Sequence, residues 1–346
     1  MKVAVVLFNL GGPDRPEAVK PFLRNLFSDP AILSVPQPIR WFLAWIISSR
    51  RAPVARDIYA KIGGRSPILP LTEEQACALE KVIAGDGIEA RVFVAMRYWH
   101  PFAHETAARV KAFGADRVVL LPLYPQFSKT TTESSFKDWE KAAAAAGLVA
   151  PTDRQCCYPL ADGFVAAYAR LLQEAIGRVP AGQKARVLFS AHGLPERVIK
   201  SGDPYQAQVE LSAAAIAQAV GGGMPEWRVS YQSKVGPLKW IGPATDDEII
   251  QAGRDGLGLI VVPVAFVSEH SETLVELDME YAELAQHESV PFYLRVPAVA
   301  TEPAFVEALA GMVKHALGRG GLCGGGPGGS RLCALTHKAC PMPVAK

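Results

Sequence analysis

Two histidines and a run of carboxylates hold the residue types best suited to proton and metal chemistry. His192 lies in Phe189-Ser190-Ala191-His192-Gly193-Leu194-Pro195, directly after an apolar run and before a glycine. An imidazole so placed is exposed to a ligand, and its ordinary pKa of about 6.5 lets it exchange a proton near neutrality. A hydrogen-bonded structural histidine is the competing reading. The stretch Ser268 to Tyr281 supplies His270 and then Glu272, Glu276 and Glu280 at intervals of four. On an α-helix these three stack on one side, opposite a buried stripe of Leu274, Leu277, Tyr281 and Leu284. Like charges at that spacing repel by about 0.2–0.5 kcal/mol per pair. No Lys or Arg stands between Glu269 and Arg295 to relieve them. A divalent cation is one remedy, and a solvated acidic face is the other.

Other segments add groups suited to a bulky, acidic, apolar ligand. Tyr231 to Thr245 contains two Gly-Pro steps and Trp240, a loop able to wall a flat molecule or to anchor itself in the core. Met96-Arg97-Tyr98-Trp99-His100-Pro101, Arg50-Arg51 and Gly63-Gly64-Arg65-Ser66-Pro67 offer guanidinium, phenol and hydroxyl groups for carboxylates. Gly11-Gly12-Pro13 lacks the third glycine of a dinucleotide fingerprint and no Walker-type phosphate loop occurs, so no nucleotide cofactor is expected.

These residues need a frame, and the chain writes one. Short runs rich in Val, Leu and Ile alternate with longer stretches of helical period, the pattern of a parallel sheet flanked by helices, hence an α/β fold. Strands are expected over residues 2–8, 91–96, 117–123, 186–191, 228–232, 259–265 and 292–296. Capping boxes are expected where Thr130 precedes Glu133 and Thr245 precedes Glu248. Val118 to Phe136 and Leu259 to Leu277 each read strand, proline, aromatic, polar loop, helix start, a weak internal duplication. It places a boundary near Ala150, giving residues 1–150 plus a returning helix 302–317 as one domain, 151–301 as a second, and 318–346 as a tail too glycine-rich for a core element. Ligands of open α/β sheets bind beyond the carboxyl ends of strands, where His192 and the acidic stretch fall.

At 346 residues and 49% hydrophobic composition, two packed domains are expected. Lys plus Arg number 36 against 34 Asp plus Glu, so the net charge of +2 creates no field for nucleic acid. The N-terminus runs straight into an apolar strand without a cleavage-type site, and the longest other apolar stretch, Ile39 to Ile47, is too short to span a bilayer. The cytoplasm is the default compartment, where the six cysteines are not expected as disulfides.

Seven strings in order, LFNLGGP from Leu7, IGGRSP from Ile62, MRYWHP from Met96, LYPQFSKTTTESS from Leu123, SAHGLP from Ser190, YQSKVGPLKWIGP from Tyr231 and PVAFVSEHSETLVELDMEY from Pro263, resemble the ferrochelatase family. The resemblance implies two similar Rossmann-like domains enclosing a cleft, with a porphyrin and ferrous iron as substrates and protohaem as product. Carried over by motif, it implies His192 and Glu272 as the metal and proton-handling pair, confronting each other across an apolar slot, with His270 and Glu276 assisting. It implies Leu10, Arg51, Tyr59, Ser66, Arg97, Tyr98 and Trp240 as pocket residues. The stretch Ile39 to Ile47 aligns with the family's apolar lip, which either docks on a membrane or packs as a buried helix. Cys323, Cys333 and Cys340 lie where some members bind a 2Fe–2S cluster, with Cys157 or its neighbour Cys156 as fourth ligand; free thiols in a disordered tail are the alternative. A coproporphyrin ferrochelatase, another tetrapyrrole chelatase and a non-catalytic porphyrin carrier are the rival functions.

Overall fold

A computed structural model describes residues 1–85, 88–234, 236 and 238–344. Strand β1 (Lys2–Asn9) is buried at every position after its first, as an interior strand of a parallel sheet must be. Its neighbours are β2 (Glu89–Met96) and β3 (Arg117–Pro122), both parallel to it. Then follow β4 (Thr152–Gln155), β5 (Ala185–His192), β6 (Glu226–Gln232), β7 (Gly258–Pro263), β8 (Tyr293–Arg295) and β9 (Leu322–Cys323). They form two parallel sheets, ordered β2-β1-β3-β4-β9 and β6-β5-β7-β8. Helices between the strands make this α/β.

The chain divides into two compact units. One comprises Met1–Tyr124, Ser128–Gln155 and Ala310–Cys323; the other comprises Pro125–Phe127, Cys156–Leu309 and Gly324–Lys346. The first carries the five-stranded sheet. Its core sets Phe8 edge-on to Phe136 and Trp139, with Val6, Val118 and Leu120 fully buried beside them. The second carries the four-stranded sheet, where Leu188, Ile249, Leu259, Val261 and Leu277 are wholly buried. Each such side chain contributes about 1.5–3 kcal/mol of transfer free energy, which holds the strand ends in place.

Several local expectations are corrected. Strands β4 and β9 were absent from the expected set. Strand β4 reads Thr-Asp-Arg-Gln, polar because Asp153 accepts hydrogen bonds from Arg117 and from the Gly321 backbone 2.7 Å away. The glycine-rich stretch after residue 318 does contribute a core element, the two-residue strand β9 beside β4. It is also packed further on: a Cβ on Gly325 would lie 3.1 Å from the Cys157 sulfur, and one on Gly324 would lie 2.1 Å from the Ser330 carbonyl oxygen. Neither expected capping box forms. Ser128, not Thr130, caps the turn Lys129–Glu133, and Glu133 pairs with Lys137. The helix Thr245–Asp255 starts without a side-chain cap, since the Thr245 hydroxyl donates to Ser230 and Glu248 pairs with Arg228.

The helix Thr245–Asp255 crosses the chain just beyond the helix Tyr281–His287 so closely that a Cβ on Gly253 would sit 2.1 Å from the Glu288 carbonyl oxygen. That oxygen belongs to backbone and cannot swing aside. Gly253→Ala is therefore expected to destabilise the protein by about 1–3 kcal/mol, the usual cost of overpacking. Thermal unfolding checks it, and an unchanged midpoint would show that the two segments can part at no cost.

Candidate active site

Three neighbouring strands of the second unit deliver their carboxyl ends to one place. Strand β5 lies between β6 and β7, and its last residue is His192. Beyond β7 the chain turns into a π-helix, Glu272–Glu280, whose first residue is Glu272. Beyond β6 comes Ser233, at φ 64°.

His192 Nδ1 and a Glu272 carboxylate oxygen lie 2.9 Å apart. Confrontation across a slot is thus corrected to direct contact. Burial alone disfavours both charges, but each supplies the opposite charge to the other. Burial opposes ionisation of Glu272, and the His192 charge and hydrogen bond overcome it, holding the carboxyl down at about 2. For His192, burial pulls downward, while the Glu272 charge and hydrogen bond raise its pKa above the ordinary 6.5. The imidazole remains 38% exposed at its other edge. Gly193 follows because a Cβ there would meet the Gln232 carbonyl oxygen at 3.0 Å and the Trp240 ring at 3.2 Å. Trp240 sets its indole edge-on to His192, with ring centres 6.4 Å apart. One Gly-Pro step of this loop, Gly236-Pro237, includes Pro237, which lies outside the described residues.

Glu276 is held separately. It accepts from the Ser233 backbone N–H at 2.9 Å, the Ser233 hydroxyl at 2.6 Å and the Tyr281 hydroxyl at 3.1 Å. Burial, seconded by the negative charge of Glu272, raises its pKa. One carboxyl is therefore a fixed anion while the other is ready to carry a proton. His270 is buried, 3.9 Å from Glu272 through Nε2, and burial lowers its pKa.

The acidic stack at intervals of four is corrected too. A π-helix bonds i to i+5, so the turn is wider; Thr273 and Val275 are buried as well as Leu277, while Leu277, Tyr281 and Leu284 of the expected stripe do pack into one cluster with Ala285. Glu280 falls on the exposed side. Arg295 answers part of the acidity by pairing with Glu269 and Asp278. Among the described residues no three His, Cys, Asp or Glu converge to hold a metal ion.

In the first unit Leu10, Tyr59 and Tyr98 share one apolar cluster, and Ser66 is buried with its N–H on the Pro13 carbonyl at 2.8 Å. Arg97 and Tyr98 are engaged by a residue that sequence reasoning missed. Buried Asp29 accepts from Arg97 Nη2 at 2.8 Å, the Tyr98 hydroxyl at 2.8 Å and the Ser134 hydroxyl at 2.5 Å. Asp29 precedes a proline in an otherwise unmarked turn, and nothing near it in the chain signals such a role. Arg51 is exposed on the helix Gln37–Ala60. The same helix exposes Ile39, Trp41, Phe42 and Trp45 by 46–54%, so it is not a buried helix. Arg24 stacks its guanidinium over Trp41, 5.3 Å from the ring centre.

The cysteines regroup. Cys156 and Cys157 place their sulfurs 3.5 Å apart in the second unit, and Cys333 hydrogen-bonds Cys340 in the same unit. That bond pulls the Cys340 thiol down to about 6. Cys323 belongs to the first unit, on β9, with Arg319 and Asp153 as charged neighbours. Cys157, Cys333 and Cys340 are thus brought together with Cys156.

Two solved structures share the fold: SirB from Bacillus subtilis with Fe3+, at a TM-score of 0.54 and 14% identity over 91% of this chain and 96% of that one, and the sirohydrochlorin chelatase SirB of Bacillus subtilis subspecies spizizenii in complex with cobalt, at 0.54 and 12% over 92% and 97%. The chain therefore has the two-sheet α/β fold of these two proteins. The ferrochelatase family model matches residues 2–317. Identity is 54% over 342 residues to the ferrochelatase of Phenylobacterium zucineum strain HLK1, covering 98% of each chain. It is 55% over 320 residues to that of Caulobacter vibrioides strain NA1000, covering 92% of this chain and 91% of the relative. The chain belongs to the ferrochelatase family, enzymes that insert a metal into porphyrin.

The stability lent by the imidazole–carboxylate pair has a definite pH window. Glu272 contributes above its ordinary 4.5 and loses this as pH falls toward 2; His192 contributes below its ordinary 6.5 and loses this as pH rises through its elevated value. The melting-temperature gap between the parent protein and Glu272→Gln is expected to be widest near about pH 5.5 and to narrow by about pH 9. A gap that grows steadily from acid to alkali would mean the two groups do not titrate as partners.

Proposed function

We propose that this chain inserts ferrous iron into protoporphyrin IX to give protohaem, with His192 as the base that receives the pyrrole protons and Glu272 as its partner in guiding the metal. The observation that carries this reading is the 2.9 Å contact between His192 Nδ1 and Glu272. With Nδ1 donating to the carboxylate, Nε2 holds the lone pair and works as the base. A free-base porphyrin must shed two protons before its four nitrogens can enclose a metal. A neutral imidazole takes a proton, the Glu272 anion stabilises the imidazolium that results, and Glu276, hydrogen-bonded through Ser233 and Tyr281, passes protons outward. The porphyrin nitrogens supply the ligands that the protein set lacks. The indole of Trp240, beside His192, walls the ring. A base with a fixed carboxylate behind it has a use in proton transfer and none in mere carriage, which favours catalysis over binding alone.

A 2Fe–2S cluster is the second reading, favoured by the gathering of Cys156, Cys157, Cys333 and Cys340 in one unit. They come as two pairs, which suits a core whose two irons each take two thiolates better than it suits a single ion. When bound, the cluster supplies a one-electron couple. Arg331 orders the segment that carries two of these thiols, donating to the carbonyls of Cys333, Ala334, His337 and Met342.

The apolar row of Ile39, Trp41, Phe42 and Trp45, with Arg40, Arg50 and Arg51 on the same helix, supports peripheral contact with an anionic bilayer. No described helix is long and apolar enough to cross a membrane.

Replacing His192 or Glu272 with Ala is expected to lower kcat by at least about a hundredfold, the scale of general acid–base catalysis. In the parent enzyme kcat/KM should rise through an inflection above pH 6.5, and in Glu272→Gln that inflection should move down. Anaerobic assays with ferrous iron and protoporphyrin IX read both effects; near-normal turnover in either Ala variant would overturn the assignment. Joint replacement of Trp41 and Trp45 by Ser should reduce flotation with phosphatidylserine vesicles severalfold, and flotation indifferent to the change would remove this helix from the membrane reading.

A further inference from the structure

The two thiol pairs share a polar neighbour. Gln208, on the helix Tyr205–Val220, is 1% exposed, and its carboxamide lies among them. Its Oε1 accepts the Phe127 backbone N–H at 2.7 Å. A backbone N–H needs an acceptor, so this bond fixes which end of the amide is oxygen and turns the NH2 group the other way. That group faces sulfur: Nε2 is 3.0 Å from Cys333 Sγ and 3.5 Å from Cys157 Sγ. One amide nitrogen has two hydrogens, enough to serve one sulfur from either pair. One turn along, Ser212 donates to the Pro159 carbonyl at 2.9 Å and accepts from Gln126 Nε2 at 2.9 Å, which pins the helix face that presents Gln208.

A buried carboxamide is costly to desolvate, and an apolar residue would pack among thiols at less expense. The sulfurs gain correspondingly. A thiolate bound to iron gathers negative charge when the cluster is reduced, and an N–H aimed at it stabilises that charge, which raises the reduction potential.

We propose that Gln208 is a positioning residue for the 2Fe–2S cluster, its Nε2 donating one hydrogen bond to Cys157 and one to Cys333, so that it joins the tail thiols to the internal ones and makes the cluster easier to reduce. This rests on the cluster reading above. The reaction concerned is addition of one electron to the oxidised cluster, supplied in the test by dithionite, with no bond made or broken.

The test uses the full chain purified without oxygen. Iron and sulfide analysis with visible absorption comes first; a colourless parent protein without either overturns the cluster and this inference together. With the cluster present, Gln208→Glu keeps the shape and the Phe127 bond but replaces two donors with a carboxylate oxygen. At a fixed ambient potential its reduced-to-oxidised ratio should fall about tenfold, equivalent to about 59 mV for a one-electron couple. A second measurement needs no variant. Parent protein labelled with 15N only in glutamine side chains, reduced with dithionite, should show a hyperfine coupling between that nitrogen and the cluster spin. An unchanged ratio in a folded, cluster-loaded Gln208→Glu protein, or absence of the coupling in the labelled parent, overturns the role of Gln208 and leaves the cluster standing.

Discussion

The second unit is organised around one contact, an imidazole and a carboxylate meeting in a half-buried place where neither charge alone would be stable. In a low-dielectric surrounding the attraction between opposite charges grows, and so does the penalty for misplacing either. The fold meets that demand with a parallel sheet, because adjacent strands of such a sheet end side by side. His192 closes β5, Ser233 follows β6, and Glu272 starts the helix beyond β7. Behind them Ser190, Gln232 and Thr245 are buried and hydrogen-bonded to one another, so the strand ends cannot drift. The imidazole is thus held in one orientation by the fold itself.

Much of this was legible in the chain. Buried parallel strands have to be apolar along their whole length, so β1, β3, β5 and β7 announce themselves, and the residue after such a run is where a site must be sought. What stayed hidden depended on partners distant in sequence. Strand β4 is polar because Arg117 and Gly321 answer Asp153, and β9 is only two residues long. The two hydroxyl–carboxylate spacings looked like caps, but Ser230 and Arg228 claimed one set and Ser128 displaced the other. The π-helix was beyond reach for another reason: a period of 3.6 was assumed, and a wider turn moves every later side chain round the axis. Glu272 and Glu276 nevertheless both lie beside the strand ends, one against His192 and the other against Ser233.

Polar groups also illustrate why residue type alone does not fix a role. Arg97 and Tyr98 are suited to a ligand's carboxylates, yet the carboxylate they hold in this structure is Asp29. The family resemblance implied three thiols of a tail joined by one from the interior. The fold groups Cys156, Cys157, Cys333 and Cys340 in one unit and puts Cys323 on a strand of the other, because the glycine-rich segment is shaped by close approach of its backbone to Cys157 and Ser330.

Strand β9 has a consequence for how the molecule comes into being. The first unit opens with Met1, yet its sheet receives its last strand from residues 322–323 and part of its helical cover from residues 310–319. A ribosome must have made nearly all of the 346 residues before that sheet can be finished. The early half therefore waits, with an open sheet edge, while residues 156–309 of the second unit are being synthesised. Cellular yield of this protein should depend on whatever shields that edge during translation as much as on the strength of the finished core.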